Sequence, residues 1–292
     1  MSSVAIIVPC LNEERTIPLL LEALHRQTYP REKLQVVIAD GLSEDNTRQR
    51  IAEFSEKHPQ LSIKVIDNPS RSIPTGLNLA INNSRSDIIL RLDAHCVPDA
   101  DYVSNSVEAL EAGKGWNVGG VWEVQPGADT WIARAIAAAA AHPLGVGDAL
   151  YRIGAAAQAT DTVPFGAFKR SVLERVGIFD ESLASNEDYE FNARIRRAGG
   201  RVWLDPAIRS KYFARSGLGA LSRQYWRYGY WKWQMLKRYP ATLRLRQAAS
   251  QRALREREMS LIIGMPLAML FMHLSWGSAF LWSMLSTGLR KV

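Results

Sequence analysis

Asn186-Glu187-Asp188-Tyr189-Glu190 places three carboxylates within five residues, just ahead of a helix-like stretch, Phe191 to Arg197, that closes at Gly199-Gly200. Carboxylates are favoured at a helix N-terminus, so Glu187 and Asp188 suit that position on electrostatic grounds alone. A carboxylate held there can also serve as a general base toward an acceptor hydroxyl. Two more carboxylates, Asp40 and Asp93, each follow an apolar run. Together with Glu187 and Asp188 they suit a metal-assisted transfer from a nucleotide-linked donor.

Each position also has a plainer use. Asp40 follows Val36-Val37-Ile38-Ala39, where a carboxylate accepts from a base or ribose, or closes a turn or caps a helix. Glu13 and Glu14 offer the same choice between touching a ligand and favouring the start of the following helix. Asp93-Ala94-His95 sets a carboxylate and an imidazole two residues apart. They can face one cation, or form a turn aspartate beside a hydrogen-bonded histidine. Mg²⁺ prefers oxygen ligands and Mn²⁺ tolerates imidazole better; either would offset charge on a diphosphate leaving group. Later, Gln224-Tyr225-Trp226-Arg227-Tyr228 and Gly229-Tyr230-Trp231-Lys232-Trp233 mix amide, cationic and aromatic side chains. Arg227 suits a diphosphate clamp. The rings suit an acceptor platform, and the whole stretch equally suits an amphipathic helix near a membrane.

These residues need a scaffold that delivers strand ends to one place. Val4 to Val8 reads as a buried strand, Pro9 to Glu14 as a loop, and Thr16 to Gln27 as a helix through Ile17, Leu20, Leu21 and Leu24. Strands are expected at Leu34 to Ala39, Ser62 to Ile66, Asp87 to Leu92 and Val118 to Val124. Between them fall a helix capped by Ser43 and running to about Lys57, and one opened by Pro74 and reaching Asn82. Residues 128–142 read as an alanine-rich helix, and 145–161 as a mobile segment or a plain connection. Such alternation implies an α/β fold with a mostly parallel sheet covered on both faces, its ligands beyond the carboxyl ends of the strands. Asn12-Glu13-Glu14 stands where a glycine-rich dinucleotide fingerprint would be, which argues against a nicotinamide enzyme; a nucleotide-triphosphate phosphate loop is also missing.

The chain has 292 residues, is 47% hydrophobic and carries a net charge of +7, so it can bury a sizeable core and favours anionic partners. Many basic residues bracket an apolar segment: Arg244, Arg246, Arg252, Arg255 and Arg257 before it, Arg290 and Lys291 after it. That placement favours a membrane surface over nucleic acid. Leu261 to Leu289 runs 29 residues without Asp, Glu, Lys or Arg, and about 20 apolar residues suffice to span a bilayer. A buried helical hairpin or an interfacial helix would share that composition. The basic cluster ahead of the segment favours a cytoplasmic N-terminal side, a bias that Arg290 and Lys291 after it reduce. Cys10 and Cys96 suggest buried thiols in a reducing compartment rather than a disulfide framework, and no signal peptide is read at the N-terminus.

An ordered set of short motifs carries a resemblance. Val8-Pro9-Cys10-Leu11-Asn12-Glu13-Glu14, Asp40-Gly41 with Ser43-Asp45-Thr47, and Arg91-Leu92-Asp93-Ala94-His95 come first. Phe165-Gly166-Ala167-Phe168 with Arg170, the Asn186–Glu190 run and Gln224–Tyr228 complete it. The chain resembles the inverting family-2 glycosyltransferases of the GT-A fold over about residues 4–233, and within them the membrane-associated succinoglycan-type glucosyltransferases of bacterial exopolysaccharide assembly.

The resemblance implies a Rossmann-like GT-A catalytic domain over 1–215, a basic interfacial helical region over 216–258 and a hydrophobic membrane-associated segment over 259–292. It implies donor contacts from Pro9, Leu11, Asn12, Glu13, Asp40, Arg71, Asp93 and Ala94, with Asp40 on uracil. Asp188 becomes the base with Glu187 beside it, and Gln224, Trp226, Arg227 and Tyr228 meet diphosphate and acceptor. A divalent cation, Mn²⁺ or Mg²⁺, falls to Asp93 and His95. His95 replaces the second carboxylate of the usual Asp-x-Asp, leaving open whether Asp93 is the only protein ligand at that motif. Tyr228 replaces the usual final tryptophan. The implied reaction moves one sugar, glucose by this resemblance, from a UDP-sugar to a polyprenyl-diphosphate-linked saccharide at the cytoplasmic face of the inner membrane, with no nucleic-acid partner. A different lipid or soluble glycan acceptor, or a noncatalytic nucleotide-sugar-binding assembly protein, are the competing readings.

Overall fold

In the computed structural model the first apolar run becomes β1 (Val4–Cys10). Val4 through Val8 are fully buried although successive side chains point to opposite faces, so the sheet is covered on both sides. The chain continues through α1 (Ile17–His25), β2 (Leu34–Asp40), α2 (Thr47–Lys57), β3 (Ser62–Asp67), α3 (Ile73–Asn82) and β4 (Ile88–Arg91). Next come β5 (Cys96–Pro98), α4 (Tyr102–Glu111), β6 (Asn117–Gln125), α5 (Trp131–Ala140), α6 (Pro143–Val146) and α7 (Leu150–Ile153). Then follow β7 (Gln158–Ala159), β8 (Ala167–Lys169), α8 (Ser171–Val176), α9 (Glu187–Arg197), β9 (Val202–Phe213), α10 (Leu218–Arg238) and α11 (Met259–Gly288). The structure describes residues 1–147, 149–183, 185–238 and 259–288. The basic residues Arg244 to Arg257, Arg290 and Lys291 lie outside them, as does the part of the expected interfacial region beyond 238.

Two compact units are distinguished: Met1–Trp122 with Ala155–Lys211, and Glu123–Gly154 with Tyr212–Val292. The first is built on a sheet of order β3-β2-β1-β4-β8-β6-β9-β5, with β7 beside β9. β1 runs parallel to β2 and β4, and β2 to β3; β8 runs antiparallel to β4 and β6. Chain order therefore reverses between β1 and β4, the switch point at which α/β sheets bind ligands. Register aligns Cys10 with Asp40 and Ile7 with Arg91, so three strands end along one edge.

Val4, Ile6 and Val8 join Leu20 and Leu24 of α1, Ile51 of α2 and Val103 and Val107 of α4 in one core layer. α3 covers the opposite face, where a Cβ on Gly76 would stand 3.3 Å from that of Ala39. The mixed sheet with helices on both faces is thus as the sequence implies, but its parallel part is the β3-β2-β1-β4 half; β8 runs antiparallel to β4 and β6, and β7 to β9. Two local expectations change. Ser43 does not cap α2, which starts at Thr47 after Asn46, because its hydroxyl is committed to Asp40. The segment 145–161 contains α6, α7 and β7 rather than one irregular connection.

In the second unit α11 packs against α10. Ser222 and Ser275 share a hydroxyl hydrogen bond of 2.6 Å, and Gln234 donates to Ser283 at 2.9 Å. Gly229 permits the approach: a Cβ there would lie 2.1 Å from the Trp276 carbonyl. On the other side of α11, Leu270, Leu274, Leu281, Trp282 and Leu285 are exposed. Leu267–Ser286 is long and apolar enough to cross a membrane, and only 28% of it is buried, unlike a helix enclosed in a soluble core.

Candidate active site

Two loops beyond β1 and β2 are stitched into one wall. The Ser43 hydroxyl accepts from the Asn12 N–H (2.9 Å) and donates to Asp40 (2.5 Å). The Glu13 N–H donates to the Thr47 hydroxyl (2.7 Å), and the Glu44 N–H to the Asn12 side chain (2.9 Å). Asn12, Leu42 and Arg71 all hold positive φ, near +55° to +58°. Strained backbone of this kind persists only where its surroundings over-determine it; here the loop-to-loop hydrogen bonds do so. Asp40 is fully buried and accepts from Arg48 Nε (2.5 Å), whose other end reaches Asp67 (2.5 Å). Arg71 pairs with Glu44 at 2.6 Å.

The centre of the site is a cation. Arg91 ends β4 with its side chain 7% exposed; its Nη2 donates to Asp93 at 3.1 Å and forms an ion pair with Glu187 at 2.9 Å. Its Nη1 lies 4.0 Å from Asp188. The guanidinium stays charged: burial works against it, but Asp93, Glu187 and Asp188 push its pKa well up. Burial also raises Glu187, against the pull of Arg91. Asp188 differs from Glu187 in exposure, 39% against 6% for the side chains. It sits in the first turn of α9 and accepts from the Tyr189 N–H at 2.7 Å. Glu190 points inward and clamps Arg194 with two contacts of 2.7 and 2.8 Å, so its role is in holding α9. A narrow cleft beside Asp188 is lined by Arg91, Asn117, Phe165, Gly166 and Asn192.

This arrangement, a switch-point crevice with one buried cation joining a strand-end aspartate to a helix-mouth carboxylate pair, agrees with comparison to known proteins. Residues 5–177 match the family described as Glycosyl transferase family 2. The chain belongs to glycosyl transferase family 2. The succinoglycan biosynthesis protein ExoA of Rhizobium meliloti is 32% identical over 230 residues, 78% of this chain and 68% of that protein. The dolichyl N-acetyl-alpha-D-glucosaminyl phosphate 3-beta-D-2,3-diacetamido-2,3-dideoxy-beta-D-glucuronosyltransferase of Methanococcus voltae is 29% identical over 245 residues, 82% of this chain and 75% of that one. Among solved structures, the mannosyltransferase PcManGT from Pyrobaculum calidifontis, in complex with GDP-Man and Mn²⁺, has a TM-score of 0.65 at 22% identity over 99% of this chain and 80% of its own. S. aureus TarS 1-349 with UDP-GlcNAc has a TM-score of 0.58 at 14% identity, over 95% and 89%. These two share the fold.

In this family-2 glycosyltransferase the remaining expected residues divide by place. Pro9 is part of β1, Leu11 is exposed at 37%, and Ala94 is buried in the core. His95 turns to Glu13, with Nδ1 3.0 Å from the carboxylate. Among the described residues no group of three His, Cys, Asp or Glu side chains is close enough to hold a metal by itself. Asp93, 25% exposed and bound to Arg91 through one oxygen, fits a cation that arrives with a diphosphate and takes most of its ligands from it. In the second unit Gln224 is buried and donates to Tyr212 (3.0 Å) and Tyr228 (2.8 Å), while Trp226 and Arg227 are exposed on α10.

Arg91 and Arg48, which hold Asp93, Glu187 and Asp40 by ion pairs, and Asp67, the second partner of Arg48, are not among the site residues the sequence pointed to. Arg91 had a signal: a lone cation inside the run Ile88-Ile89-Leu90-Arg91-Leu92 must be buried, and a buried cation needs carboxylate partners. Nothing in the sequence named those partners.

Proposed function

We propose that this enzyme transfers a single sugar from a UDP-sugar to a lipid-linked saccharide, with inversion at the anomeric carbon. The observation that carries the reading is the shared guanidinium: Arg91 joins Asp93, on the strand-end edge, to Glu187, which leaves Asp188 as the solvent-accessible member of the pair. The acceptor O–H gives its proton to Asp188 while its oxygen attacks the anomeric carbon from the face opposite the nucleotide. The bond from that carbon to the diphosphate breaks with its electron pair going to UDP. One in-line step of this kind needs no sugar–enzyme intermediate. The stitched loops carrying Asn12, Glu13 and Asp40 form the wall against which the nucleoside lies, and Arg71 stands at its rim.

Asp93 holds the diphosphate end, together with a divalent cation whose positive charge stabilises the leaving group when it is bound. His95, tied to Glu13, orients that loop and is the second candidate ligand. Gln224 and Arg227 are assigned to diphosphate and acceptor, with Tyr228 and Trp226 as the aromatic platform. The acceptor class is supported by the names of the two relatives, one acting on a dolichyl phosphate sugar and one in succinoglycan biosynthesis. The apolar span Leu267–Ser286 supports attachment to the same membrane that carries such an acceptor, with the catalytic unit on the cytoplasmic side.

The test is turnover of UDP- and GDP-sugars by detergent-solubilised enzyme with Mn²⁺ or Mg²⁺ and membrane lipid extract. One UDP-sugar should turn over, and Asp188→Asn should lose about 10³-fold or more in kcat, the upper part of the range for a general base, while still binding UDP. Turnover retained in that variant would remove Asp188 as the base.

A further inference from the structure

Arg91 has more N–H groups than its close contacts with Asp93 and Glu187 use. Its Nη2 alone serves both Asp93 and Glu187, whereas Nε and Nη1 are buried without a protein hydrogen-bond partner. The neighbouring Asn117 Oδ1 is also buried and unpartnered, and both residues line the cleft that Asp188 borders. A buried arginine placed for stability alone would have its donors satisfied, because every unmet N–H there is costly. Arg194 of the same unit shows the contrast: it clamps Glu190 with two nitrogens and reaches the carbonyls of Val176 and Ile178 as well.

The geometry of Arg91 is that of a gauge between two elements. Its backbone is fixed in β4, which lies between β1 and β8, and one guanidinium nitrogen reaches the first turn of α9. The loop carrying Asp93 and the helix carrying Asp188 come from distant parts of the chain. Three carboxylates in this space repel one another, and a cation among them lets all three converge. A rigid, planar guanidinium sets that convergence more tightly than an ammonium would.

We propose that Arg91 is a positioning residue that sets the distance between the donor-side carboxylate Asp93 and the base Asp188, acting through Glu187. The inference rests on the reading of Asp188 as base. Arg91 itself makes no bond to the reacting atoms. Glu187, buried and ion-paired, is the anchor through which α9 is held, and its exposed neighbour does the chemistry.

Three measurements on Arg91→Met, Arg91→Lys and Glu187→Gln test this, with full-length enzyme in detergent. The first is UDP affinity by calorimetry, the second is kcat, and the third is hydrogen exchange of the α9 amides at residues 190–192. Arg91→Met should bind UDP within about threefold of the parent yet lose about 100-fold in kcat, the cost of a misplacement of roughly 1 Å. Arg91→Lys should recover about tenfold of that loss, and adding Glu187→Gln to Arg91→Met should cost little more, because both break one connection. Exchange in the first turn of α9 should quicken in Arg91→Met. Unchanged kcat in Arg91→Met would overturn the proposal. So would a parallel loss of UDP binding and thermal stability without rescue by lysine, which marks a merely structural residue. Turnover retained in Asp188→Asn would instead sink the assignment of the base. The exchange experiment reads the tie between β4 and α9 without any turnover, so unchanged exchange rejects the tie in its own right.

Discussion

At the scale of single residues the chain uses carboxylates in three different ways. Asp188 is the more exposed one, as the proposed base requires, Glu187 and Glu190 are buried as anchors for α9, and Asp87 fastens the N-terminus. The Ser3 N–H donates to Asp87 at 2.9 Å and the Ser3 hydroxyl at 2.8 Å. Those two bonds, the backbone one first, hold the Asp87 carboxyl below its ordinary value. A folded pKa below the unfolded one, about 3.9, gives stability that is fully present above the unfolded value and is lost as pH falls through the folded value. Asp87→Asn should therefore lower the melting temperature at pH 7 and flatten the decline of stability between about pH 4 and pH 2. Melts across that range in both proteins check it; an acid limb as steep in the variant as in the parent would assign the acid sensitivity elsewhere.

At the scale of elements, close backbone approach decides what can pack. Gly120 of β6 faces β9 so closely that a Cβ would lie 1.6 Å from the Ile208 carbonyl oxygen. A backbone neighbour cannot swing aside as a side-chain tip can. Gly120→Ala should thus force the strands apart and destabilise the first unit by about 3 kcal/mol or more, the upper end of overpacking costs. A denaturation midpoint unchanged from the parent would mean that the two strands separate at little cost. Gly166 shows the same economy beside the cleft: with φ at +27°, its Cα lies against Asn117, and a Cβ would meet the Asn117 Oδ1 at 2.4 Å. The short connection Phe165–Gly166 thereby brings Asn117 and β8 together next to α9.

At the scale of the whole molecule, the second unit carries an exposed apolar surface on α11. Leu274, Leu281 and Leu285 are more than half exposed on α11, with Trp282 among them, while the opposite side of that helix is hydrogen-bonded to α10. An exposed stripe of this size marks an interaction surface, and in the proposed reading lipid covers it. Replacing the three leucines by asparagine should remove roughly 1.5 kcal/mol of apolar transfer each. Flotation with anionic vesicles checks it: the parent should float with lipid and the triple variant should stay in the dense fraction. Equal flotation of the two would move the attachment to other residues.

Much of this is legible in the sequence. The alternation of apolar runs with helical periodicity located β1 to β4 and α1 to α3, and the acidic run at Asn186–Glu190 marked the start of α9. Those features are local: side-chain period reports which faces are buried, and helix starts report their own electrostatics. The motifs set in order along the chain were enough to indicate its family. What sequence spacing did not decide was partnership. Asp93 and His95, two residues apart, read either as one cation site or as a turn aspartate beside a hydrogen-bonded histidine, and spacing named neither Glu13, the partner of His95 from a loop 82 residues away, nor Arg91 as the partner of Asp93. Ser43 read as a helix cap, yet it joins two loops. Arg91 and Glu187 meet because register places β4 beside β1 and packing brings the mouth of α9 to its end. Ion pairs between distant segments depend on where whole elements come to rest, and only the tertiary structure holds that information.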